Sequence, residues 1–223
     1  LRGYGMPKNP KEAAKYFELS ADRGFINAMY NLASMLDKGE EIPCDYEKAA
    51  YYYNKAAGLG DIESMRSLAY MIDSWKIPND KYDPYYYYKL AMEKDDSGKE
   101  MVNFGVVLMN ESNFLFYQSN KKKSKELIKK ASFYFKKAAK LGNFDGMAQY
   151  GKLIAFNYID LDNLDEVMNY LKTAADNNIS EAMLPYAVML SKYYPENKEN
   201  WDKINDLMSK VDFKNPMYNV YNN

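Results

Sequence analysis

Five methionines, at positions 29, 65, 101, 147 and 183, are spaced by 36, 36, 46 and 36 residues. Each is followed three residues later by a large apolar or aromatic side chain (Leu32, Leu68, Phe104, Tyr150, Tyr186) and four residues later by a small one (Ala33, Ala69, Gly105, Gly151, Ala187). Seven residues on comes an aliphatic one: Leu36, Ile72, Leu108, Ile154, Leu190. Offsets of 0, 3, 4 and 7 fall on one face of an α-helix. A unit of that length, repeated in register, specifies stacked supersecondary elements that bury their faces against their neighbours.

A second helix recurs between the methionine helices. Its copies begin near residues 13, 49, 84, 131 and 167 and carry tyrosine at the fourth place (Tyr16, Tyr52, Tyr87, Tyr134, Tyr170). The fifth place is large and apolar or aromatic (Phe17, Tyr53, Tyr88, Phe135, Leu171), and the eighth is small (Ser20, Ala56, Ala91, Ala138, Ala174). Places 1, 4, 5 and 8 again form one helical stripe. Each repeat is therefore a helix pair, here called helix A (the methionine helix) and helix B, and the periodicity predicts an α-solenoid. The run Tyr85–Tyr88 has strand propensity but keeps the helix B register, so tertiary context should hold it helical.

Gly58-Leu59-Gly60-Asp61, its counterpart Leu141-Gly142-Asn143-Phe144, the Lys-Ala-Ala segments and the opening Gly3-Tyr4-Gly5-Met6-Pro7-Lys8-Asn9 together resemble Sel1-like repeats, relatives of the tetratricopeptide repeat. The resemblance covers about residues 1–195. It implies an all-α, right-handed α-solenoid of about five Sel1-like helix-pair repeats with a C-terminal capping helix. Two departures concern turns. The Gly-x-Gly turn after helix A survives only at Gly3–Gly5, and the middle repeat has Lys94-Asp95-Asp96 where a glycine belongs after helix B.

Gly3–Gly5 would normally follow a helix A, so the chain reads as a fragment that starts mid-repeat. The repeat domain is placed at residues 1–210 and a C-terminal tail at 211–223. Trp201–Met208 falls where a sixth helix B belongs, with Asp206 in place of the fourth-place tyrosine, as in a polar terminal cap. Between Leu108 and Ala131 the spacing is 23 residues, ten more than elsewhere. This insertion, near 111–126, either lengthens helix B backwards or bulges as a loop.

The net charge of −1 sets up no global attraction to nucleic acid or membrane. Nine lysines between Lys121 and Lys140 are read as the solvated face of a helix whose Leu127, Ile128, Ala131, Tyr134, Phe135 and Ala138 turn inward. No apolar run approaches the ~20 residues needed to span a bilayer. The single cysteine, Cys44, forms no internal disulfide and fits a reducing, cytoplasmic setting.

The catalytic inventory is thin. The chain has no histidine, which removes Ser-His and Cys-His nucleophile pairs and histidine metal sites. Asp160–Asp165 begins like a calcium loop but has Leu164 at a ligand position, so no metal site is expected. Asp162 or Asn163 serves better as the N-cap of the following helix. The residues present suggest no cofactor. Two function classes follow from the resemblance: a non-catalytic protein-interaction scaffold or adaptor, monomeric as an isolated domain, and, as the alternative, a repeat-fold hydrolase of the β-lactam-processing type. The relatives associated with β-lactams carry a cysteine pair in each repeat, absent here, so the scaffold is preferred.

In solenoids of this family the first helix of each pair lines the concave side. Residues two and five positions after each methionine point away from the buried stripe, at about 200° and 140° on the helical wheel. The first row is Asn31, Ser67, Asn103, Gln149 and Pro185; the second is Ser34, Tyr70, Val106, Lys152 and Val188. Amide and hydroxyl groups can pair with a peptide backbone, and Tyr70 supplies an apolar anchor. The expected partner-binding set is therefore Asn31, Ser34, Ser67, Tyr70, Asn103, Gln149 and Lys152, with Pro185 a broken rung.

Overall fold

A computed structural model of the chain describes residues 9–74, 76–78 and 81–211. Eleven helices and no strand occur among the described residues. They are α1 (Pro10–Asp22), α2 (Ile26–Lys38), α3 (Tyr46–Gly58), α4 (Ile62–Asp73), α5 (Pro84–Lys94), α6 (Lys99–Tyr117), α7 (Lys121–Lys140), α8 (Phe144–Ala155), α9 (Leu164–Asp176), α10 (Ser180–Tyr193) and α11 (Lys198–Ser209). Even-numbered helices are the A helices, and odd-numbered ones are the B helices, α11 taking the capping position. The tyrosine run lies inside α5, so helix register overrides strand propensity there. The Gly3–Gly5 turn and the tail beyond residue 211 lie outside the described residues.

Polar caps separate the helices. Asn9, Asp45, Asp61, Asp83, Asn120, Asn143, Asn163 and Asn197 each accept a backbone N–H of the first turn that the helix itself leaves unpaired. The turn from helix B to helix A needs one left-handed residue. Gly60 and Gly142 fill it with φ +97° and +86°. Asn178 takes the same place before α10 with φ 62°, because asparagine tolerates this region better than most side chains. The missing glycine of the middle repeat is supplied late, by Gly98 at the cap of α6 (φ +76°), where an added Cβ would sit 3.0 Å from the Ala138 Cα.

Contacts divide the chain into two compact units, Leu1–Asp95 and Asp96–Asn223. In the first, α1 to α5 pack each on the next. Met29, Leu32, Ala33 and Leu36 of α2 and Met65, Leu68, Ala69 and Ile72 of α4 are buried, as the spacing requires, against the likewise buried Tyr52 and Tyr53 of α3 and Tyr87 and Tyr88 of α5. Tyr16 departs from its column and is 63% exposed. The reason lies in how the column works: the Tyr52 hydroxyl donates back to Asp22 and the Tyr87 hydroxyl to Asn54, each reaching the preceding helix B. No described helix precedes α1 to receive Tyr16.

In the second unit α6 pairs with α7, α8 packs on α7, α9 and α10, and α10 packs on α11. Two glycines set the closest approaches. A Cβ on Gly105 would lie 2.4 Å from the Phe135 ring, and one on Gly151 would lie 2.4 Å from Leu171 Cδ2. Both partners occupy the fifth place of helix B, so the small residue of helix A is there to admit the large residue of helix B. Of the two alternatives for the ten-residue insertion, the backward lengthening of helix B occurs, and helix A is extended as well. The two helices reach 19 residues in α6 and 20 in α7, against 11–14 elsewhere. Buried Ser112 and Ser124 face each other across the two helices, the Ser112 hydroxyl reaching Ser124 O at 3.1 Å and Ser124 Oγ at 2.9 Å.

Candidate functional site

In the first unit the outer faces of α2 and α4 carry the expected residues in two different settings. Asn31 is exposed and, with Ser34, Met35 and Lys38, forms a 0, 3, 4, 7 stripe on α2 beside a cleft of about 320 Å³. Phe17 of α1 and the loop residues Glu40 and Glu41 complete its lining. The cleft combines an amide, two apolar side chains and charges of both signs, a mixture suited to an extended polypeptide. Tyr70 stands out from α4 at 59% exposure. Ser34 and Ser67 are occupied differently: both hydrogen-bond the buried Tyr53 phenol. Burial pushes that phenol up to about 12, and the two serines pull it partly back. They position Tyr53 between α2 and α4 and are not simple outward rungs.

In the second unit the same positions are more enclosed. Asn103 is half-buried and donates to Glu100 Oε2 at 3.2 Å. Gln149 and Lys152 of α8 are half-buried. Burial lowers the Lys152 pKa, with the Glu181 carboxylate opposing the shift. Pro185 is buried inside α10, so this rung faces the core. The helical wheel treats each helix as if one side were covered. Here α8 is flanked by α6, α7, α9 and α10, and α10 by α8, α9 and α11, which covers more of each circumference.

Two lysine-centred clusters escaped the sequence reading. In the first unit, Lys76, just past α4, bonds Asp37 Oδ1 at 2.8 Å and lies 5.6 Å from the Tyr46 ring centre and 5.9 Å from that of Tyr70. Burial works against its charge, but the Asp37 bond and charge and the two phenols raise its pKa overall. In the second unit, Lys136 bonds Asp162, reaches Glu166 Oε2 at 3.1 Å and sits 5.2 Å over the Tyr150 ring. The Tyr150 hydroxyl donates to both Asp162 oxygens at 3.0 and 3.1 Å, and that of Tyr170 donates to Glu166 at 3.0 Å.

The Asp162 bond raises the Lys136 pKa against burial, helped by Glu166 and Tyr150. The same contact lowers that of Asp162, and burial pushes the Tyr150 phenol up to about 12. Asn163, not Asp162, caps α9, which frees Asp162 to tie α7 to the approach to α9. Lys136 is thus no part of a solvated face. Its signal was the Asp162-Asn163 doublet, in which one residue caps and the other is left to pair. Among the described residues no cluster of three or more metal-ligating side chains occurs.

Stacked A and B helices with capped, left-handed turns are the geometry a helix-pair repeat demands. The Sel1 repeat family model matches residues 1–25, 26–61 and 120–143. Those three segments are Sel1 repeats. The fold of a Sel1 repeat protein from Oxalobacter formigenes superimposes with a TM-score of 0.62 at 22% identity, covering 92% of this chain and 81% of that one. A protective antigen of uropathogenic Escherichia coli strains displaying an SLR fold aligns at 18% identity with a TM-score of 0.48, over 93% of this chain and 50% of that chain. No curated protein matches the sequence. The first unit presents an open A-helix face, and in the second the face is enclosed on α8 and α10 while Val106 of α6 stays exposed.

Proposed function

We propose that this Sel1-repeat chain is a non-catalytic interaction scaffold, and that it takes a partner segment along the A-helix face of its first unit. Sel1 repeats generally serve as protein-interaction modules. The observation that carries the local assignment is the cleft beside α2, where exposed Asn31 stands with Met35 and Phe17 between Lys38 and the Glu40-Glu41 pair. An extended peptide needs donors and acceptors for its backbone and apolar contacts for its side chains, and this stripe offers both. Tyr70 on α4 supplies an exposed aromatic anchor of the kind that dominates interface energetics. Asn103, Gln149 and Lys152 are assigned to supporting their own unit.

The test is affinity capture from the native cell extract with three baits: the wild type, Asn31→Arg with Tyr70→Ala, and Asn103→Ala with Gln149→Ala. Circular dichroism confirms that each is folded. The proposal expects the partners of the wild type to be lost only with the first variant. Loss only with the second variant would move the binding face to the other unit.

A further inference from the structure

The insertion in the middle repeat builds an extended helical hairpin whose end has an unusual surface. The last turn of α6 exposes Phe114, Phe116 and Tyr117 at 58, 55 and 81%. At 100° per residue these three rings fan over an arc of about 160°, and half-buried Leu115 lies opposite the middle of that arc. A three-residue connection then leads into Lys121, Lys122 and Lys123, with Lys125 one residue beyond Ser124. Between residues 110 and 130 there are six lysines and two glutamates. The first turn of α7 contains no acidic residue, so the lysines crowd the positive end of that helix dipole. Apolar rings in water and cations at a positive helix end are both unfavourable locally, and the 3.9 Å ion pair between Lys123 and Glu111, itself largely exposed, offsets them only in part. Such violations of local rules are expected where a surface serves a function.

We propose that the tip of the α6–α7 hairpin is a docking point for an anionic lipid surface. The rings enter the headgroup boundary, and the lysine ammonium groups remain at the level of the phosphates. Aromatic side chains partition to that boundary, and lysine stems lie along apolar surface while their charges stay outside. Lys121 already lies 5.8 Å from the centre of the Phe116 ring, which places cation and ring side by side. The shape of the patch favours a membrane over an acidic protein. The rings splay outward from a helix end instead of enclosing a pocket, so a deformable surface can contact all three, whereas a single groove would meet only part of the arc. No helix among the described residues is long and apolar enough to cross a bilayer, so the contact is peripheral. The site shares no residue with the α2 cleft, so it stands or falls independently of partner binding there.

Vesicle co-sedimentation of the full chain tests the proposal, using phosphatidylcholine vesicles with and without phosphatidylserine. Each lysine held near an anionic surface contributes roughly fivefold in affinity. Binding to the phosphatidylserine vesicles is expected to weaken at high salt, and Lys121→Glu with Lys122→Glu should lower it at least tenfold. Phe114→Ser with Phe116→Ser and Tyr117→Ser, all exposed positions, should lower it at least tenfold with helicity unchanged. As a check against failure of that triple variant to fold, Tyr117→Trp should gain a blue-shifted emission component on adding the anionic vesicles. Absence of wild-type binding overturns the proposal. So does loss with the lysine variant alone, together with undiminished capture of the serine variant by polyglutamate, since that is the behaviour of a cationic patch that recognises any acidic chain.

Discussion

The A helices of the first unit hold Asn31 and Tyr70 in the open, whereas those of the second have Gln149 and Lys152 half-buried and Pro185 fully enclosed. The interiors differ in the matching way. The small position of helix A is alanine in the first unit (Ala33, Ala69) and glycine in the first two repeats of the second (Gly105, Gly151). Glycine admits Phe135 and Leu171 so closely that even a methyl group would collide. One repeat pattern thus supports two tasks. Where a helix approaches its partner on glycine and has three or more neighbours, as α8 does, the outer face is used up in packing; where it does not, it remains available for a ligand. The electrostatic clusters follow the same division. Lys76 and Asp37 are joined by one bond beside Tyr70, while Lys136 gathers Asp162, Glu166 and Tyr150 from three segments.

The sharpest way to break this comparison is to enlarge the small positions. Gly151→Leu should cost about 3 kcal/mol or more, since buried Leu171 already occupies the space, whereas Ala69→Leu should cost about 1–3 kcal/mol. Urea midpoints on the two variants give the ordering. Equal losses would mean that the glycine contacts are not closer than the alanine ones.

Next in size is the Lys136 cluster. Asp162→Asn should lower stability at neutral pH by about 1 kcal/mol, a modest value because Asp162 is partly exposed. The pH dependence has a definite sign. The folded Asp162 pKa lies below its unfolded value, so its contribution is complete above the ordinary carboxylate range and is lost as pH falls through the folded value. Lys136 is shifted upward, so its contribution is complete below the ordinary lysine range and disappears only in strong alkali. Wild type and Asp162→Asn should therefore differ at pH 7, and the difference should shrink as pH falls below the ordinary carboxylate range, as read from urea midpoints over a descending pH series.

Periodicity carried much of the fold because core burial obeys the helical period. All five methionine stripes are buried where the 0, 3, 4, 7 spacing puts them, and the B stripes of α3 and α9 follow in full; Pro84 and Tyr134 are half-buried, and the α1 stripe is half-buried except at exposed Tyr16. What was not legible depends on neighbours that a single helix does not encode. A helical wheel assigns Lys152 and Pro185 outward, but α8 and α10 each pack on several other helices, and Lys152 is half-buried and Pro185 buried. Ser34 and Ser67 looked like equivalent rungs, yet they converge on one phenol because Tyr53 lies between their helices. The insertion was visible as a spacing of 23 residues, but not its division between α6 and α7. That division follows from helix-forming residues on both sides and from a break only at Gln118–Asn120. Lys136 was hidden among lysines of identical appearance.

The smallest expected effect concerns Lys152. Lys152→Met keeps the side-chain length and removes a half-buried charge, so it should raise stability by roughly 0.5 kcal/mol. Because the folded pKa of Lys152 is lowered, the charge costs stability below that value, and the cost fades as pH rises through it toward the ordinary lysine range. The gain of the methionine variant should accordingly shrink at alkaline pH, as followed by thermal unfolding at several pH values.

The difference between an open and an enclosed A-helix face can be measured without a partner. In a Cys44→Ser background, single cysteines at Asn31, Tyr70, Gln149 and Lys152 are each labelled with a maleimide under native conditions, and each rate is divided by its rate in urea. Asn31→Cys and Tyr70→Cys should react at near their unfolded rates, and Gln149→Cys and Lys152→Cys at least tenfold more slowly than theirs. Equal protection at all four positions would contradict the account.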